Sequence, residues 1–417
     1  MLQRRTIIIA AAGLLLAAAV PAHAADTASP NDTARFLAGM PPAADSPLAA
    51  LTRERAWQEH ARIFDGAFER LEQRQLARIR SWSSGNLAAA RPTMFYMFSG
   101  PDFLYANAFY PKATTYVLSA LEPVGTVPDL TTLRGSIAPN LQQLRASLST
   151  ILSYSFFITH NMRSDLRAGR VNGTLPILYV FLARSGKTIR EVTPVRLDAA
   201  GAVEPDIGAV RGEPTRGVKI VFAGSDGEPR TLYYFSTNLA DDGVRSSKFL
   251  TFCETLAPGD SLIKSASYLL HSGSFSKVRE FLLANSAAMI QDDSGIPLGY
   301  YAPGKWELQP FGHYNGPIAV FPGRYQPKYA ALFRKSHPID FGIGYRWRPN
   351  ESNLLLAVRT AADGVPEASA RSAAEEPAPE SAASRPAAPV RTSSARPRRA
   401  PARHTVRQPF DWFFRYR

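Results

Sequence analysis

The chain predicts an α+β protein: N-terminal helices packed on a mostly antiparallel sheet, followed by a disordered C-terminal tail. Three observations predict this. Apolar stripes at helical spacing lie early in the chain, as in Trp57, Ala61, Phe64, Phe68 and Leu71. A hairpin pattern of period two follows, with Val218, Ile220 and Phe222, then Gly224-Ser-Asp-Gly227, then Thr231 to Ser236. From Ala361 the composition collapses to Ala, Pro, Ser, Glu and Arg. Helices before strands suggest α+β and not alternating βαβ units.

Residues 1–24 read as a secretory signal peptide. Arg4 and Arg5 form the basic region, Ile7 to Val20 the apolar run, and Ala22-His-Ala24 the small-x-small site, with cleavage expected before Ala25. Ordinary secretion fits the flanks of Arg4-Arg5 better than the twin-arginine route. A periplasmic or secreted location follows. Residues 25–45 are expected to be an extension. Ser46-Pro47 is expected to cap a long amphipathic helix that ends near Ser83–Asn86.

Met94–Phe98 and Thr115–Leu121 are short apolar runs and are expected to be strands, the second stopped by Glu122-Pro123. Pro128-Asp129 opens a short turn, and a helix follows from about Pro139. Thr174–Ala183 is apolar all round, so periodicity leaves helix and strand both open. Ile189–Leu197 adds a strand, and Ser247–Leu256 and Ser274–Ala284 read as helices. Leu262–Leu270 fits either type. After Ala288 come short strands and loops, including Trp306–Phe321 and Leu354–Val358. The body, 46–360, is one large domain or two intimate ones.

Residues 361–409 cannot bury enough apolar surface to offset ordering entropy. The last segment, 410–417, is aromatic and basic. Of the net charge of +13, Arg4 and Arg5 hold +2, and residues 383–417, with nine Arg and one Asp, hold +8. The body and extension carry the remaining +3. That near-neutral balance gives no electrostatic case for nucleic acid. The arm is different: Arg398, Arg399, Trp412, Phe413 and Phe414 are expected to contact an anionic envelope surface or a protein partner. The single cysteine, Cys253, lies in an apolar run and reads as a small buried hydrophobe. After the signal, no stretch is long and apolar enough to span a bilayer.

Candidate chemistry rests on Asp102, Glu122, His160, Asp293 and His313. Asp102 and Glu122 flank the two apolar runs and could act as an acid–base pair; equally, Asp102 could cap a helix. Asp292-Asp293-Ser-Gly295 offers adjacent carboxylates that point different ways, and a turn is the simpler reading. His160 and His313 sit in loops, where function concentrates. His60 lies on a helix with no second ligand at i+3 or i+4, so it reads as a core-capping residue. No metal or cofactor is implied. Ser261-x-x-Lys264 and Ser274-x-x-Lys277 match the pattern of penicillin-recognising enzymes, but the supporting elements are missing. Ser185-Gly-Lys-Thr188 lacks the first glycine of a phosphate loop. Residues from Asn238 fail a calcium loop at Ala240 and Phe249.

The segments FSGPDFLYANAFYP (98–111), ALEPVG (120–125), KSASYLLH (264–271), QDDSGIP (291–297) and FGHYNGPI (311–318) carry a resemblance. With them the chain resembles a family of exported bacterial proteins with no assigned activity, over roughly Trp57 to Val358. The resemblance implies secretion and assigns no residue a role. Two functions fit the sequence. One is an exported envelope protein that binds or assembles through its basic arm. The alternative is a secreted hydrolase on a cell-wall or glycan substrate, with a carboxylate/histidine site.

Overall fold

The computed structural model describes residues 27–360, apart from 88, 128, 133–134, 157–170 and 208–213. The signal segment, His160 and the whole tail, with Arg398, Arg399, Trp412, Phe413 and Phe414, therefore lie outside the described residues.

Ten strands form one sheet: β1 (Thr93–Tyr96), β2 (Thr115–Ala120), β3 (Thr188–Leu197), β4 (Val203–Pro205), β5 (Arg216–Ala223), β6 (Pro229–Ser236), β7 (Gly259–Ile263), β8 (Ser286–Gln291), β9 (Trp306–Gly312) and β10 (Asn353–Arg359). Their spatial order is β4-β3-β5-β6-β2-β1-β7-β8-β10-β9. The four central ladders, from β6 across to β8, are parallel. The five outer ladders are antiparallel. The fold is thus α+β on a mixed sheet. Apolar runs such as Met94–Phe98 announce a strand but not its partner, so the parallel centre is not written in their periodicity.

Strand alternation divides the core into two layers. Met94 and Tyr96 of β1 join one apolar cluster, Phe95 and Met97 the other. The first layer is covered by α1 (Pro30–Leu37), α2 (Arg55–Leu71), α3 (Ala77–Asn86), α4 (Phe103–Phe109), α5 (Ala138–Ser153) and α6 (Leu175–Arg184). The second is covered by α7 (Asp241–Ser247), α8 (Phe249–Thr255) and α9 (Ser276–Asn285). Cys253 is buried there.

Several boundaries differ from expectation. Ser46-Pro47 does not cap the long helix: Ser46 Oγ accepts the Leu48 N–H at 3.4 Å, and α2 starts only at Arg55. The stretch read as an extension carries α1, whose Ala34, Phe36 and Leu37 are buried. Thr174–Ala183 resolves as a helix, and Leu262–Leu270 divides between β7 and a 3₁₀ turn. Ser247–Leu256 contributes the end of α7 and α8, broken at Lys248, whose φ is 58°.

Two features position the site. The chain leaves β1 through α4 to β2 on the first face, and leaves β7 through α9 to β8 on the second. Strand order therefore runs outward in both directions from the β1/β7 seam. Such a switch point opens a crevice at the carboxyl ends of the strands, the usual place for ligands in open sheets with parallel strands. The second feature is a π turn, Glu72–Leu76, between α2 and α3. It turns Gln75 into the interior, where its side chain donates to the Trp347 carbonyl at 2.9 Å and accepts from Gly342 N at 2.8 Å. Gln75 thereby fixes the 342–347 segment over the seam.

Candidate functional site

Buried charge gathers at the carboxyl ends of β1, β7 and β8. Asp102 lies beyond β1, Lys264 follows β7, and Asp292 and Asp293 follow β8. Each is at most 2% exposed. Asp102 caps α4, accepting the Tyr105 N–H at 3.2 Å. Its other oxygen pairs with Lys264 Nζ at 2.8 Å and accepts the Tyr96 hydroxyl at 2.9 Å. Asp102 therefore both caps α4 and pairs with a buried lysine.

Lys264 has three partners. Besides Asp102, its ammonium donates to the Ser155 carbonyl and lies 3.8 Å from the centre of the Tyr105 ring. Burial pulls its pKa below the ordinary lysine value, while Asp102 opposes that shift. Ser155 in turn donates to the Gly344 carbonyl at 2.6 Å.

Asp292 and Asp293 point to different partners, as adjacent positions require. Asp292 Oδ2 accepts the Ser265 N–H at 3.0 Å; its Oδ1 accepts the Ser294 N–H at 3.0 Å and the Ser294 hydroxyl at 2.5 Å. Gly344 presses against it: a Cβ added at Gly344, whose φ is +68°, would lie 1.7 Å from Oδ2. Asp293 accepts the Tyr268 hydroxyl at 2.6 Å and the Asn353 amide at 3.2 Å. Burial, and then the charge of Asp292, push its pKa up to about 7. Burial also raises Asp292. The Asp-Ser-Gly turn exists, with Gly295 N bonded to the Asp292 carbonyl at 3.1 Å.

The backbone at this edge is strained. Five non-glycine residues among those described have left-handed φ, and four of them, Phe98, Ser265, Ser267 and Tyr268, follow β1 and β7. Such residues persist only where their surroundings hold them. Here Tyr345 donates to the Ser265 carbonyl at 3.0 Å and shares a bond with Ser267 Oγ at 2.9 Å, while Ser294 Oγ accepts the Ala266 N–H at 2.8 Å.

Of the sequence candidates, Asp102 and Asp293 belong to this edge. Glu122 is buried past the end of β2, where its carbonyl accepts the Tyr234 hydroxyl at 2.7 Å. His313 is exposed past β9, and its N–H bonds the Ser352 carbonyl at 2.7 Å. His160 lies outside the described residues. His60 is buried, its ring 2.8 Å from the Leu37 carbonyl and 4.2 Å from the Phe64 ring centre. Burial lowers its pKa to about 4, so it stays neutral.

Sequence reasoning missed Ser265 and Tyr268, weighed Asp292 only as Asp293's partner in a turn, and met Lys264 only in the penicillin-recognising pattern that it set aside. The one available signal was a lysine ending the apolar run Ser261-Leu-Ile-Lys264. Ser261 itself is bonded to Ser286 at 2.7 Å, Oγ to Oγ. No group of three or more His, Cys, Asp or Glu among the described residues is arranged to hold a metal. No helix among them is long and apolar enough to cross a membrane. No family profile, curated protein or solved structure matches this chain.

Proposed function

We propose that this chain is an exported hydrolase with its acid–base site at the carboxyl edge of β1, β7 and β8. One observation carries the reading. Four buried charged groups and four left-handed residues coincide at the switch point of the sheet. In this reading the Asp292–Asp293 pair moves protons, since a carboxyl titrating near 7 suits general acid–base work at neutral pH. The Lys264–Asp102 pair holds the end of β7 and supplies a fixed local field. Substrates are polar and come from the envelope, with a cell-wall polymer or glycan as the favoured class. The signal segment delivers the chain to the periplasm or beyond, and the Arg-rich arm with its aromatic tip tethers it to an anionic surface or partner.

A binding module is the second reading. It is favoured by the fact that Asp102, Asp292 and Asp293 all have partners that a purely structural role would use. A substrate panel separates the two. The mature chain is assayed against chromogenic glycosides, acyl esters and phosphate esters. A hydrolase turns over one class and loses that activity in Asp293→Asn without loss of fold. A folded protein with no turnover, but a higher melting temperature in the presence of wall polymers, is a binder.

A further inference from the structure

We propose that Ser265 is the nucleophile of this site and Asp292 the carboxylate that takes its proton, which makes the reaction an acyl transfer to water. The proposal rests on the hydrolase reading and names its bond: an acyl ester.

Ser265 is the first residue past Lys264 at the seam. Its backbone is held on all sides. The N–H is bound by Asp292, the carbonyl by Tyr345, and the next N–H by Ser294. Its φ of 54° is one that a residue with a Cβ adopts only at a cost in energy. Its hydroxyl, by contrast, has no hydrogen-bond partner and no solvent contact, although the residue as a whole is only half-buried. A buried hydroxyl left unpaired is a second cost at the same residue. All the local hydrogen bonding thus fixes the backbone, and the hydroxyl alone is left unused. The serine thus sits on a strained turn at the end of a parallel strand, with its oxygen covered in this structure, so a substrate reaches it only when the covering side chains move aside.

The base is bound to the same residue through its backbone. Asp292 Oδ2 sits 3.0 Å from the Ser265 nitrogen, so rotation about χ1 brings the hydroxyl toward the same carboxylate. Ser294 and Gly344 keep that carboxylate in place. Asp293 is held apart by its own partners, Tyr268 and Asn353, and does not compete for Ser265.

The chemistry balances without a further reagent. Ser265 Oγ attacks the acyl carbon, and its proton passes to Asp292. The tetrahedral intermediate collapses, and the departing alcohol takes that proton. Water then attacks the acyl–serine bond, gives a proton to Asp292, and releases the acid as Ser265 recovers its hydrogen. The sum is ester plus water to acid plus alcohol.

The test uses the full mature chain, a fluorophosphonate probe and p-nitrophenyl acetate. The expected result is one adduct by intact mass, formed with loss of fluoride and mapped to Ser265. Ser265→Ala removes an unpaired buried hydroxyl, so it should melt at or above wild type, take no adduct, and lose ester turnover by on the order of a thousandfold or more. An adduct elsewhere, no adduct, or Ser265→Ala cleaving the ester like wild type overturns the proposal. If wild type cleaves glycosides or phosphate esters but neither the acyl ester nor the probe, the nucleophile is wrong and the hydrolase reading stands. If a folded wild type cleaves nothing and takes no probe, both fall.

Discussion

The parallel core has two ends, and they treat buried charge differently. At the amino end, Asp260 is the second residue of β7. Its carboxylate accepts the Arg91 N–H at 2.7 Å and the Ala288 N–H at 3.0 Å, and ties β7 to its surroundings. Burial raises its pKa to about 6. At the carboxyl end, Asp102 meets a lysine, Asp293 meets a tyrosine, and the nearby backbone is left-handed. A carboxylate satisfied by backbone donors is a structural tie. Carboxylates set against ionisable side chains on strained loops are poised to exchange protons. The difference is what favours the carboxyl end as the working end in the proposed reading.

The largest test of this contrast is Lys264→Met. It leaves Asp102 charged and buried without its partner, which should cost about 3–5 kcal/mol of stability. Adding Asp102→Asn should recover most of the loss in denaturant titrations. A single variant as stable as wild type would mean that the pair is not buried as described.

Next comes the pH dependence. The pKa of Asp293 is raised to about 7 in the fold, against about 3.9 unfolded. The folded state therefore binds the extra proton, and this contribution to stability is present at low pH and lost as pH rises from about 4 to about 7. His60 and His271 act in the opposite sense, because burial lowers each to about 4. Asp293→Asn isolates the first effect. Its stability relative to wild type should climb by up to about 1.4 kcal/mol per pH unit across that window. A flat difference would place Asp293 in ordinary solvent.

Asp260→Asn should cost about 1–3 kcal/mol, because it gives up one acceptor facing two backbone donors. Any turnover should survive this change at the amino end. Loss of turnover at full folding would erase the distinction between the ends. The smallest effect should be a gain: Ser265→Gly relieves the left-handed φ and should raise stability by up to about 1 kcal/mol, while abolishing ester cleavage. A loss of stability would show that the serine is not strained.

Much of this fold is legible from local pattern. Val218–Ser236 announces its hairpin because turn and alternation are contiguous, and β1 and β2 show as apolar runs bounded by breakers. The seam is not legible. Nothing in Met94-Phe95 says that Asp260-Ser261 is its neighbour. Asp102 could be read as a cap because Tyr105 is close in sequence; Lys264, its other partner, is distant. Asp293 stood out as one of a pair, yet its environment depends on Tyr268 and Asn353, contributed by other elements. Ser265 is an ordinary serine until its φ is known.

The position of the seam also fixes an order of assembly. The β1/β7 ladder joins strands separated by about half of the body, so its closure entropy is met late and its formation is slow. Until β7 docks, Asp102 and Lys264 remain hydrated, and the cost of drying both falls on that step. A chain carrying Lys264→Met with Asp102→Asn should then refold faster than wild type in stopped-flow fluorescence; equal rates would put ion pairing after the barrier. An incomplete chain that lacks β7 and β8 has neither the lysine nor the carboxylate pair. The proposed site is thus assembled only in a nearly finished molecule, and a half-folded chain lacks the cluster of buried charge on which it rests.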